Sequence, residues 1–229
     1  MAFESSLLSV GIYSMSEASR LTGVSTGRIR RWLHGYTFDS RGKRHESRPL
    51  WIGDLDPIKH SFALSFLDVC EVRIINAFLK CGVRWKTIRR VVAKAACDVS
   101  SKHPFCDNSF LTDGTRVFKS VSRDRDDTAM LDYLSEQSVF ESITRPFLRD
   151  LVFAEDGRPL IWTPLGKDRS VVVDPGRSFG QPIISSGVPT RILFNAINAG
   201  NSRAEVSQWF DIPESSVFDA FEFEDQMAA

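Results

Sequence analysis

The chain has 229 residues, 42% of them apolar and 25% charged, and its 29 basic side chains balance 29 acidic ones. That is the composition of an ordinary soluble globular protein, large enough for one big domain or two small ones. No run approaches the ~18 consecutive apolar residues of a transmembrane helix. The opening MAFESSLLSVGIYSM has no basic segment leading into a long apolar one, so no export signal is expected and a cytoplasmic location is. The neutrality conceals an asymmetry. Residues 1–100 carry 16 Lys and Arg against 9 Asp and Glu, a charge of +7, and residues 101–229 carry −7. Halves of opposite sign point to a basic end for a polyanion and an acidic end for something else, or to two domains that attract each other.

Ser14 or Ser16 to Leu21 is a short helix, with Ser16 capping its start and Ala18 and Leu21 three apart on one face. Gly23 makes a tight turn and Val24 plugs the core. Ser25 or Thr26 caps a second helix to Leu33. Its Ile29, Trp32 and Leu33 face inward, which leaves Arg28, Arg30 and Arg31 outside, and Gly35 ends it. Tyr36, Phe38, Leu50, Trp51 and Ile52 are strand formers bracketing the polar DSRGKRHESRP. This predicts a β-hairpin with Arg41, Gly42, Lys43 and Arg44 near its tip.

Ser65 to Asp68 matches a capping box with Asp in place of Glu. The helix it opens runs to Lys80 with an apolar stripe of Leu67, Cys70, Ile74 and Phe78, and Gly82 ends it. Trp85–Ala96 is a second amphipathic helix with Trp85, Ile88, Val92 and Ala95 on one face. Phe110, Leu111, Val117, Phe118 and Val121 flank Thr112–Thr115 and predict a hairpin, and Arg123–Asp127 a charged loop. Met130–Leu151 reads as helical, with Pro146 breaking or kinking it. A hairpin follows around Glu155–Gly157, then short strands at Val171–Val173 and Pro182–Ile184. The chain closes with helices from Thr190 to Ala199, from Ser202 to Trp209, and after a cap at Ser215 or Ser216. Three such helices form a compact bundle.

The chemistry in this pattern is that of binding. A helix at Ser25–Leu33 has the width that a DNA major groove admits. Ser25, Thr26, Arg28, Arg30 and Arg31 are the residues expected to face bases or phosphates. Arg41, Lys43, Arg44 and Arg48 would follow the phosphate backbone or enter the minor groove. Trp209, Phe210, Phe218, Phe221 and Phe223 suit either the core of the bundle or a surface for a protein partner. His34, His45, His60 and His103 are scattered without a ligand or catalytic spacing, and there is no P-loop. Cys70, Cys81, Cys97 and Cys106 form no CxxC and read as buried free thiols. No catalytic residue, metal or cofactor is expected.

Tyr13–Trp32, YSMSEASRLTGVSTGRIRRW, resembles the start of MerR-type winged helices, and Gly82-Val83 followed by Ile88-Arg89 is similar to the helix pair after the wing. Val173-Asp174-Pro175, Phe179–Pro182, Gly187–Thr190 and Gly200 look like the family called domain of unknown function 433. So do Val206, Trp209-Phe210, Ile212-Pro213, Val217, Ala220 and Phe223-Glu224, although Pro189-Thr190-Arg191 shifts the arginine of that pattern. The combination resembles one branch of the VapB-type antitoxins, whose partners are PIN-domain ribonuclease toxins. The resemblance implies a homodimeric antitoxin and transcription repressor that binds operator DNA and a PIN-like toxin.

The expected fold is therefore α+β, mostly α. A winged helix-turn-helix with a helical extension occupies 1–100, a connecting α/β segment 101–165, and a domain of small helical bundle and short hairpins 166–229. A MerR-like regulator without a toxin is the alternative. A structural or immunity-like binding protein is a more distant one.

Overall fold

A computed structural model describes residues 10–57, 61–99, 101–122 and 136–228. The expected loop at Arg123–Asp127, the first residues of the helix expected from Met130, and His60 lie outside the described residues. The fold is α+β and mostly helical, and its strands pair only in twos. Two compact units form: Ser14–Leu148, and Arg149–Ala229 with the described residues before Ser14.

The first unit begins after the short strand β1 (Tyr13–Ser14). Ser14, rather than Ser16, caps α1 (Met15–Thr22) in a reciprocal box with Glu17. Gly23 turns the chain in the left-handed region at φ 65°, where a residue without Cβ pays no steric cost. Then α2 (Thr26–His34) begins, with Ser25 at its N-cap. Ala18, Leu21, Val24, Ile29, Trp32 and Leu33 are all buried between the two helices and the body.

The hairpin is tighter than the sequence pattern implied. β2 (Tyr36–Ser40) pairs with β3 (Lys43–Ser47), so the return strand is the polar segment itself. The two-residue turn, Arg41 at φ 51° and Gly42 at φ 71°, has the left-handed backbone that two-residue hairpins demand. Leu50–Ile52, expected as strand, instead leaves the hairpin. Trp51 goes into the core at 6% exposure while Ile52 stands 77% exposed.

After β4 (Ala63–Leu64), Ser65 and Asp68 form the expected capping box and start α3 (Phe66–Lys80). This helix is buried on most of its circumference rather than along one stripe. α4 (Trp85–Val99) follows. A 3-10 turn at Pro104–Cys106 then leads to α5 (Asn108–Asp113) and α6 (Thr115–Ser122).

The hairpin expected across 110–121 does not form. Phe110, Leu111, Val117 and Phe118 recur at offsets of 0, 1, 7 and 8, which is a helical face read as two strands. The residue taken for a turn glycine, Gly114, has helical dihedrals of φ −63° and ψ −11°. Helix wins because Phe110 and Phe118 then join Phe78, Phe105 and Phe140 in one buried ring cluster, with centroids 4.4–6.4 Å apart. Phe140 comes from α7 (Gln137–Asp150), which runs through Pro146 without ending there.

The second unit pairs β5 (Leu151–Phe153) with β6 (Pro159–Trp162) around the expected turn, and β7 (Val171–Val172) with β8 (Ile183–Ile184). Trp162 bridges to Val173 and links the two pairs. The three closing helices are α8 (Thr190–Asn198), α9 (Arg203–Phe210) and α10 (Glu214–Ala228). Ser202 caps α9 in a box with Glu205, but α10 already begins at Glu214, so Ser215 and Ser216 lie inside it. Cys70 and Cys106 are buried free thiols as expected, whereas Cys81 and Cys97 are exposed.

Helix propensity alone would make Gly114→Ala stabilising by about 1 kcal/mol. Here a Cβ would stand 2.6 Å from the Phe140 ring, which the surrounding phenylalanines hold in place. Gly114→Ala therefore lowers stability, by about 1–3 kcal/mol for an overpacked core, and urea unfolding monitored by circular dichroism reads the sign.

Candidate nucleic-acid interface

Ser25, Thr26, Arg28, Arg30 and Arg31 are all exposed, on the side of α2 away from Ile29, Trp32 and Leu33. The helix sorts its arginines. Arg28 and Arg31, three apart, line one flank, and Arg31 is steadied by its Nε–H donating to the Gly27 carbonyl at 3.2 Å. Arg30 turns the other way, its guanidinium 5.2 Å from the Phe62 ring centroid. Arg41, Lys43, Arg44 and Arg48 are exposed on the hairpin tip and the strand beyond it.

Three contacts set the direction of this arm. The Leu50 N–H donates to the Trp32 carbonyl at 2.7 Å. Arg89 of α4 donates from Nη1 to the Arg48 carbonyl at 2.7 Å and to Ser47 Oγ at 3.1 Å. Gly35, at φ 71° and ψ −175°, is the third. Its missing side chain gives passage to the return strand, since a Cβ there would stand 2.3 Å from the Ser47 carbonyl oxygen. Trp32 also stacks on Trp85 of α4, with centroids 5.4 Å apart.

Beneath the arm lies a polar cluster of which only the Ser65–Asp68 capping box had a signature in the sequence. Trp51 Nε1–H donates to Asp68 Oδ1 at 2.7 Å, and Ser65 N–H to Asp68 Oδ2 at 2.9 Å. Ser65 Oγ–H donates to Asp54, which also pairs with His103 Nε2 at 2.9 Å. Glu71, fully buried, accepts from the backbone N–H groups of Phe105 and Cys106. Burial pushes its carboxyl up to about 7, against opposition from the His103 charge and those two N–H donors. Burial by itself would lower His103, but the Asp54 hydrogen bond and the charges of Glu71, Asp68 and Asp54 raise it. Burial tends to raise Asp54, yet its bond and charge pairing with His103 bring it below the usual carboxylate value. Among the described residues no group of His, Cys, Asp and Glu has a geometry that could hold a metal ion.

In the second unit, Trp209 is 60% and Phe218 40% exposed, Phe210 and Phe221 are half-buried, and Phe223 is fully buried. Of the two readings open for these aromatics, Phe223 takes the core. Phe221 packs on Phe194 at 5.2 Å, and Phe218 lies under the guanidinium groups of Arg169 and Arg203. Part of the acidity of α10 is neutralised locally, because Arg169 pairs with both Asp219 and Glu222 at 2.6 Å.

No family model matches the chain. It is 26% identical over 224 residues, 93% of each chain, to a Mycobacterium tuberculosis protein named "Putative antitoxin VapB45". Its fold is similar to the crystal structure of Rv2018 from the same organism, with a TM-score of 0.72 and 24% identity over 93% of this chain and 98% of that one. Among the described residues no helix is long and apolar enough to cross a membrane.

Two predictions test this architecture. Arg89→Met keeps the aliphatic stem and removes both bonds to the hairpin. Amide exchange across Tyr36–Ser47 then accelerates about tenfold, as expected for losing charge-assisted hydrogen bonds, while the global melting transition stays in place. The second concerns pH. A carboxyl raised from 4.5 to about 7 on folding stabilises fully below 4.5, and that contribution disappears as pH rises through 7. A raised His103 likewise stabilises below its unfolded value and loses that contribution as pH rises through its higher folded one. Asp54 acts only at acid pH, where its contribution is lost as its lowered carboxyl protonates. Stability consequently falls from about pH 4.5 to 7 through Glu71, and the raised His103 adds to the fall above its ordinary value. Glu71→Gln removes a share of that slope on the order of 3 kcal/mol, measurable by urea unfolding across the range.

Proposed function

We propose that this protein is an antitoxin. It grips operator DNA through residues 14–51 as a MerR-like winged helix and represses its own operon as a homodimer. Its acidic C-terminal unit, similar to domain of unknown function 433, neutralises a PIN-like ribonuclease toxin. The observation that carries the reading is the join of α2 to the β2–β3 hairpin. One face of α2 is buried on the body, the rest of the helix exposes Ser25, Thr26, Arg28, Arg30 and Arg31, and the hairpin that follows exposes Arg41, Lys43 and Arg44, with Arg48 just past its end. A single helix fits a major groove, and a basic two-stranded arm reaches the neighbouring phosphates. The likeness to the mycobacterial protein named as an antitoxin, over nearly the whole of both chains, supports the toxin-binding half of the reading.

Electrostatics supports the same division of labour. A ribonuclease must attract a polyanion, so an acidic partner surface is drawn to its cleft and obstructs RNA there. Trp209 and Phe218 are exposed aromatics on that unit, the residue type that anchors protein interfaces. The role is one of binding rather than catalysis.

A gel shift with the gene's own upstream duplex at two salt concentrations tests the DNA half. Arg28→Ala with Arg31→Ala weakens binding at least about tenfold and flattens the log–log salt slope by about one per lost phosphate contact. Unchanged binding would sink the α2 assignment. Co-purification with the product of the adjacent gene tests the toxin half: a small PIN-like nuclease supports it, and retained DNA binding without such a partner leaves a plain transcriptional regulator.

A further inference from the structure

Between α2, the start of β2 and the α3–α4 corner lies a cleft of about 350 Å³, lined by Arg28, Arg31, Trp32, Tyr36, Leu79 and Trp85. It falls within the size range of small-ligand sites, about 300–1,000 Å³. Its chemistry is divided. Two exposed guanidiniums stand on the α2 side, Arg31 fixed by its bond to Gly27 and lying 5.9 Å from the Tyr36 ring centroid. The remainder of the wall is aromatic and aliphatic: the half-buried Tyr36 ring, the Trp32–Trp85 stack inclined at only 17°, and Leu79.

We propose that this cleft seats one nucleoside phosphate of a bound DNA strand. Arg28 and Arg31 donate to the phosphate oxygens, and Tyr36 and Trp85 pack against the apolar face of the deoxyribose. The inference rests on the DNA-binding reading above and adds to it two contact residues, Tyr36 and Trp85, together with a split among the arginines. Arg28 and Arg31 then position the protein on the backbone. Arg30, on the other flank against Phe62, is left with Thr26 to read bases. An isolated anion would need the two cations but not the ring-lined wall, and an apolar ligand would need the wall but not the cations. A sugar–phosphate unit satisfies both, since the apolar face of deoxyribose packs on an aromatic wall whatever the sequence and guanidinium forks match phosphate. The same chemistry could come from a free nucleotide, and the experiment separates the two sources.

Fluorescence anisotropy with the labelled upstream duplex, and tryptophan quenching with thymidine 5′-monophosphate, are measured on the full-length protein. The variants are Tyr36→Leu, Trp85→Leu, Arg28→Gln and Arg31→Gln. On the duplex, Tyr36→Leu and Trp85→Leu each weaken binding about tenfold with the salt slope unchanged, because the lost contact is to the uncharged sugar and releases no counterion. Arg28→Gln and Arg31→Gln each flatten the slope by about one. If Trp85→Leu fails to fold for want of its stack on Trp32, Tyr36→Leu at the cleft rim decides. Duplex binding that both ring variants leave intact overturns the cleft and spares the DNA-binding reading. No duplex binding by the wild type, with quenching by the mononucleotide that Tyr36→Leu abolishes, keeps the cleft as a free-nucleotide site and overturns that reading instead. Orthophosphate competing as well as the mononucleotide shows that the ring wall contributes nothing and overturns the proposal, as does the absence of both duplex binding and quenching.

Discussion

The Asp68 carboxylate is buried where the chain leaving the basic arm meets the helical body. One oxygen accepts the Trp51 indole N–H from the chain leaving the hairpin, and the other accepts the Ser65 N–H that begins α3. Its own N–H is capped by Ser65 Oγ, whose proton goes to Asp54, and Asp54 holds His103. Three segments distant in sequence are thereby tied at one point. A carboxylate without exposure is costly unless its oxygens are occupied, and here both are. The hairpin's exit path is fixed because moving Trp51 would leave a buried charge short of a partner.

From that anchor the geometry of the arm follows. Trp32 is packed on Trp85 and its carbonyl receives the Leu50 N–H, so α2 and the outgoing chain are joined end to end. Arg89 catches the hairpin from the α4 side, and Gly35 gives passage to the strand that Arg89 holds. The charged residues of α2 are then carried on a helix whose other face is committed to the core, and the exposed hairpin is held at its base by these contacts. Preorganisation of this kind leaves less conformational entropy to lose when a partner is gripped.

The elements legible in the sequence were those whose evidence is local. Ser65 with Asp68 marks a helix start by spacing alone and Ser202 marks one as a cap, and both form. Gly23 and Gly35 were legible as stops for the same reason. Misreadings came where one local pattern served two structures. Phe110–Val121 alternates apolar blocks around a Thr-Asp-Gly-Thr that looks like a turn, and only the phenylalanines of α3 and α7 make the helical alternative deeper. Leu50–Ile52 has strand-forming side chains, yet the two-residue turn at Arg41-Gly42 uses up the pairing partners before the chain reaches them.

What the amino-acid sequence by itself determined was the helix pair, the presence of a hairpin, the basic face and the three-helix ending, because caps, periodicity and turn residues act within a few positions. Only the tertiary structure decided which residues meet. His103 lay in an unremarkable polar stretch, 49 positions from Asp54. Arg89 read as one more surface cation, and Trp85 as one more apolar residue of a helical face. Their roles come from contacts across 41 to 53 positions of chain. Such contacts depend on how helices pack, and no spacing within a single element encodes that.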